Sequence, residues 1–191
     1  MKNLRILASA FMLSSTIWMS CDWFTCKDAL ALCDLAINAF TAPKDVIVGS
    51  VFNTVTEIAN TEDDSKCTTT EFANATINLL EIFLDDGNGN WSPYATYENI
   101  PQPGIGAGDL VTLLEGIKIN ESGDFRLDYY SDFVNGVDER NENNNYSSYG
   151  RMDARSALKQ SNNYASLYIK VLPLPDGTTR IPGKPLVEFN Q

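Results

Sequence analysis

Apolar residues change their period partway along the chain. Between residues 29 and 40, Leu30, Cys33, Ile37 and Phe40 continue the three- and four-residue steps begun at Cys26, which is the spacing of one helix face. Thr25 and Asp28 have the form of a capping box ahead of it, and Pro43 supplies a stop. From residue 44 onward the apolar stretches are short, rich in β-branched residues and separated by turn chemistry. Residues 45–48 and 51–59 predict two strands broken at Gly49 and Ser50, and the polar run 60–70 ends the second. Residues 75–84 become apolar on both faces, as a covered central strand does, and Asp85-Asp86-Gly87-Asn88-Gly89 follows as a turn. A short edge strand is expected at 94–100, before Pro101 and Pro103. Residues 110–119 alternate imperfectly, 124–131 place Phe125, Leu127 and Tyr129 on one side, and 164–172 do the same with Ala165, Leu167, Ile169 and Val171. Seven short strands with turns between them predict an all-β, antiparallel sandwich of immunoglobulin type. Pro182 and Pro185 argue against a long final strand, although 186–189 can still pair at an edge.

The amino end has a different character. Lys2 and Arg5 precede an uncharged, mostly apolar run over 6–18, long enough for a signal-peptide core and too short to span a bilayer. That run closes on Ile17-Trp18-Met19-Ser20-Cys21, which resembles the lipobox of bacterial lipoproteins. The resemblance implies a signal peptide over 1–20, acylation of Cys21 with palmitate among its chains, and a membrane-anchored tether with one helix over 21–43. An ordinary secretory signal, leaving Cys21 free to pair, is the alternative. Stable anchoring takes more than one acyl chain, and a lipidated amino-terminal cysteine carries more than one. Cys26, Cys33 and Cys67 would then lie in an oxidising compartment. On one helix, seven residues separate Cys26 from Cys33 by about 10 Å of rise, beyond the roughly 7 Å limit between the Cα atoms of a disulfide. One of the two, with a preference for Cys33, is therefore expected to bridge to Cys67; otherwise all three are small buried hydrophobes.

Within the sandwich, over 44–191, the most specific stretch is Gly123-x-Phe125-x-Leu127 followed by Asp132-x-x-Asn135-x-Val137-x-Glu139-x-Asn141-Glu142-x-Asn144-Asn145. It resembles the signature of the bacterial cell-adhesion-related domain, CARDB. Weaker similarity extends upstream through Asp45-Val46-Ile47-Val48, Glu57-Ile58-Ala59-Asn60 and Phe83-Leu84-Asp85-Asp86-Gly87. The resemblance implies a seven-stranded immunoglobulin- or fibronectin-III-like sandwich in an extracellular protein, used for binding, spacing or adhesion and not for catalysis. The chain departs from the family by an insertion at 146–163, where 152–160 favours a short helix with Ala154, Ala157 and Leu158 on one side. The insertion carries Tyr146, Tyr149 and Arg151 as candidate ligand contacts, since binding residues concentrate in loops held by a rigid scaffold.

Composition narrows the chemistry. Among 191 residues, 14 Lys and Arg stand against 25 Asp and Glu, a net charge of −11, the wrong sign for phosphate-driven binding to nucleic acid. The absence of histidine removes Ser-His-Asp and Cys-His nucleophile systems and HExxH zinc sites. Asn, Asp and Glu side chains of the 132–145 stretch suit a wide turn held by hydrogen bonds to backbone amides, with Val137 as its apolar anchor. A calcium site built on Asp132, Asp138, Glu139 and Glu142 is the second reading, because hard oxygen donors are what that ion takes; no other cofactor is indicated. The run Asp86-x-Asn88-x-Asn90 also hints at calcium, but Trp91 and Tyr97 occupy positions where an EF-type loop needs Gly and Glu, which favours a plain hairpin turn. The glycines over 104–109 lack the GK[ST] of a phosphate loop and read as a strand connection. Trp91, Tyr94 and Tyr97, spaced by three in a loop after the third strand, are candidates for stacking on a sugar. Together these features predict a non-enzymatic module of the bacterial cell envelope, at the outer membrane or cell surface. Its partners would be the lipid bilayer and a protein or glycan ligand. Carbohydrate recognition through the loop aromatics and a purely structural spacer are the alternatives.

Overall fold

The computed structural model describes residues 35–60, 73–133, 137 and 163–190. They form an all-β sandwich of nine strands: β1 (Leu35–Thr41), β2 (Asp45–Ile47), β3 (Val51–Asn60), β4 (Thr76–Asp85), β5 (Trp91–Gln102), β6 (Leu110–Ile119), β7 (Gly123–Tyr130), β8 (Tyr164–Leu172) and β9 (Val187–Asn190). One sheet runs β1-β3-β6-β9 and the other β2-β8-β7-β4-β5. Every pairing is antiparallel except that of β2 with β8, where Val46 lies opposite Val171. The chain leaves β2 for the other sheet at Gly49, whose φ of 76° suits glycine, while its amide donates to the Ile119 carbonyl at 2.8 Å.

The core follows from period-two alternation. Phe125, Leu127 and Tyr129 of β7 point between the sheets beside Leu80 and Ile82 of β4, and meet Ile58 and Ile117 from the other side, all fully buried. The outward residues Leu79, Glu81 and Phe83 of β4 are buried as well, beneath Tyr130 and Arg126 of the neighbouring β7, which is why that strand reads as apolar on both faces. The 104–109 glycine segment is a strand connection pinned by reciprocal backbone bonds between Ala73 and Ile105 at 2.9 Å.

The helix expected to run to Phe40 is corrected at its carboxyl end, because Leu35–Thr41 is a strand paired with β3. A bulge explains the misleading period. Leu35 and Ile37 face inward two residues apart, and the extra residue at Asn38 moves the next inward position to Phe40, three residues on. A bulged strand thus imitates one helical step. Phe40 packs on Tyr129 with ring centroids 5.4 Å apart, so the sandwich begins before residue 44. Strand β9, at the far edge of the same sheet, completes the count beyond the seven expected. Residues 1–34, with Cys21, Cys26 and Cys33, lie outside the described residues, as do Cys67 and all but the last residue of the 146–163 insertion.

Candidate functional site

The outward face of the five-stranded sheet carries an aromatic and charged surface at one end. Register places Tyr168 of β8, Arg126 of β7 and Phe83 of β4 side by side, while Lys170 of β8 is opposite both Asp124 of β7 and Asp45 of β2. Arg126 lies over the Phe83 ring, with its guanidinium carbon 4.4 Å from the ring centroid and 5.5 Å from that of Trp91. Its Nε is 3.1 Å from Asp128 Oδ1, a charge contact outside hydrogen-bond alignment, and Asp128 also accepts the Ser166 hydroxyl at 2.7 Å. Trp91 reaches from the start of β5 to Tyr168, ring centroids 5.5 Å apart, over the two intervening strands. Tyr168 is 62% exposed. Beside this arch opens a groove of about 330 Å³, with Trp91 and Tyr168 as walls and Asp45, Asp85, Asp124, Lys44 and Lys170 around them. The side chains of Asp45, Asp124, Lys44 and Lys170 make no hydrogen bond or ion pair among the described residues, so their polar atoms are available to a ligand.

The three aromatics expected to form a loop platform lie instead on β5. Two irregularities in its pairing with β4, one beside Tyr94 and one between Tyr97 and Ile100, put Tyr94, Tyr97 and Ile100 on the same inward face at steps of three. Tyr94 meets Phe125 edge-on at 5.0 Å and donates its hydroxyl to Glu121 at 3.0 Å; burial and that carboxylate push its ionisation far upward. Tyr97 stacks on Phe189 of β9 at 4.4 Å. Trp91 alone of the three faces the groove. Tyr168 was not singled out by sequence, yet its signal was there: inward alternation at Leu167 and Ile169 leaves Tyr168 as a bare ring on the outer face.

Asp132 is fully buried and organises a corner. Its carboxylate accepts the Thr76 hydroxyl and the Val137 amide, the latter at 3.3 Å, while its own amide donates to Asn78 Oδ1 at 3.0 Å. Both carboxylate oxygens are thus engaged within the protein, and Val137 is buried as the turn's anchor. Asp138, Glu139 and Glu142 lie outside the described residues, as do Tyr146, Tyr149 and Arg151. Among the described residues no three acidic or thiol side chains gather closely enough to hold a metal ion. The Asp85–Asn90 hairpin turn is self-satisfied: Asp85 Oδ1 accepts the amides of Gly87 and Gly89, and Asp86 accepts those of Asn88 and Asn90. The Asn90 side-chain amide also donates to Asp86 Oδ2 at 3.0 Å, and these bonds favour the charged carboxylate and hold the Asp86 pKa below its ordinary value.

A second polar cluster lies between the sheets. Glu115 of β6, 5% exposed, accepts the Thr54 hydroxyl at 2.9 Å; the Tyr129 hydroxyl faces it from the opposite sheet beside Asn78, while Thr56 of β3 lies on the same sheet as Glu115. Burial pushes the Glu115 carboxyl above its ordinary value, against the Thr54 hydrogen bond that favours the charged form. A raised folded-state value means that Glu115 stabilises the fold fully below its unfolded value, and that this contribution disappears as pH rises through the folded one. Glu115→Gln is therefore expected to unfold at higher urea than the parent near pH 8, with the gap closing toward pH 4. Asp86, Asp176 and Glu188, whose values are lowered, pull the other way in both chains and cancel in the comparison. Parallel curves for the two chains would refute the assignment.

No family model matches the chain, and no curated protein does. Among solved structures it is similar to the CARDB domain of PF1109 from Pyrococcus furiosus, a crystal structure in complex with di-metal ions. Identity is 16%, 74% of this chain and 90% of that one are covered, and the TM-score is 0.43. The solution structure of the same domain gives 17% identity, 75% and 98% coverage and a TM-score of 0.43. The chain is also similar to part of beta-glucosidase from Listeria innocua in complex with isofagomine, at 11% identity and a TM-score of 0.41, covering 73% of this chain and 16% of that one.

Proposed function

We propose that the protein is a non-enzymatic binding module of the bacterial cell envelope, held at the membrane by an acylated Cys21 and engaging its ligand through the groove at Trp91 and Tyr168. The observation that carries this reading is an exposed ring beside carboxylates and amines that no side chain among the described residues engages. A spacer has no need of such a surface. Supporting the anchor, the segment before Cys21 has a basic start, an apolar run and a lipobox-like ending, in that order.

One cell-based experiment addresses both parts. Cells expressing the full chain are expected to incorporate labelled palmitate and to bind beads coated with envelope or matrix extract. Cys21→Ser removes the label, and Trp91→Ala with Tyr168→Ala removes bead binding while leaving the label and the urea midpoint in place. Undiminished bead binding by the double variant would sink the groove reading, and label retained by Cys21→Ser would sink the anchor.

A further inference from the structure

From the chemistry of the groove we infer that its ligand is an uncharged glycan, one sugar residue of which packs against Trp91 and Tyr168. This inference rests on the groove being the binding site. Its charges alternate in sign. Asp45 and Asp124 flank Lys170 in register, Lys44 and Asp85 line the same groove, and Arg126 sits behind the Trp91 ring. An anion would meet three carboxylates and a cation would meet two ammonium groups, so either pays a repulsion that the opposite charges only offset. Hydroxyl groups face no such conflict. Each one both donates and accepts, and carboxylates alternating with ammonium groups supply both complements within one opening. Hydrogen bonds to charged partners are the stronger kind, which an uncharged polyol can use without losing an ionic hydration shell.

The aromatic walls supply the remaining half. A pyranose presents axial C–H groups on a face of ring size, and a largely fixed Trp next to an exposed Tyr offers apolar area at low entropic cost. Trp91 is held by its contacts with Tyr168 and the Arg126 guanidinium, so its ring is set before a ligand arrives. The groove's volume of about 330 Å³ lies at the small end for ligand sites, roughly 300 to 1,000 Å³, which suits one or two residues of a longer chain. Asp85 contributes through Oδ2, because Oδ1 already accepts the two turn amides.

Titration calorimetry of the full chain tests this with three panels: neutral oligosaccharides of glucose, mannose, galactose and N-acetylglucosamine; oligomers of hexuronic acid; and oligomers of glucosamine. A neutral oligosaccharide is expected to bind with an affinity almost independent of salt, since no net charge is brought together. Trp91→Ala and Tyr168→Ala are each expected to weaken it by about tenfold, and Asp124→Asn by less, because the amide still donates and accepts. Binding only to the acidic or basic panel, with steep salt dependence, would overturn the uncharged ligand and leave the groove reading standing. So would a chain that binds no panel yet keeps its groove-dependent bead binding. Neutral binding indifferent to Trp91 and Tyr168 would overturn both, and cleavage of a bound oligosaccharide would overturn the non-enzymatic assignment.

Discussion

Asp132→Ala is expected to destabilise the fold by about 2 to 4 kcal/mol, read as a fall in the urea midpoint. The removed carboxylate accepts the Thr76 hydroxyl and the Val137 amide in a site closed to water, and unmade hydrogen bonds of buried groups cost about 1 to 3 kcal/mol each. A backbone term adds to it: Asp132 has a φ of 47°, which Asp and Asn tolerate better than Ala. Asp132→Asn keeps that tolerance and one acceptor, so it should lose much less. If the alanine and asparagine variants unfolded alike, or if neither moved the midpoint, the corner described at the end of β7 would not be what holds that end of the sandwich.

Phe125→Ala is expected to cost about 3 to 5 kcal/mol, the largest effect of any single truncation considered. Phe125 is fully buried near the start of β7, edge-on to Tyr94 and opposite Ile169 and Leu84 in the two flanking strands. Such a site cannot collapse readily, because its neighbours are fixed by ladders on either side. Phe125→Leu refills most of the space and should lose less than about 1.5 kcal/mol. Comparable losses for the two variants would mean that ring geometry with Tyr94, not volume, carries the stability.

How legible these features were depended on whether a strand keeps its period. β8 alternates in sequence and β6 does so imperfectly, but neither is bulged in its pairing with β7 or β3, and the boundaries at 110–119 and 164–172 follow from sequence alone. β1 and β5 are bulged. An extra residue at Asn38 and the irregularities of β5 convert steps of two into steps of three, which suggested a helix in one case and a loop of three like-facing rings in the other. No composition signal marks such an insertion, since it depends on which residue the partner strand offers. The groove was half legible for the same reason: Trp91 was named, while Tyr168 lies about eighty residues away in sequence and joins it only through the sheet order β8-β7-β4-β5.

The broken register of β5 matters beyond the side chains it redirects. This twelve-residue strand is the outermost of its sheet, and an uninterrupted row of free amides and carbonyls there would invite a neighbouring molecule to add a strand of its own. Pro93 and Pro101 withhold two donors, and the bulges turn the remaining ones out of line. Neighbouring molecules can therefore lie flank to flank without zipping into fibres.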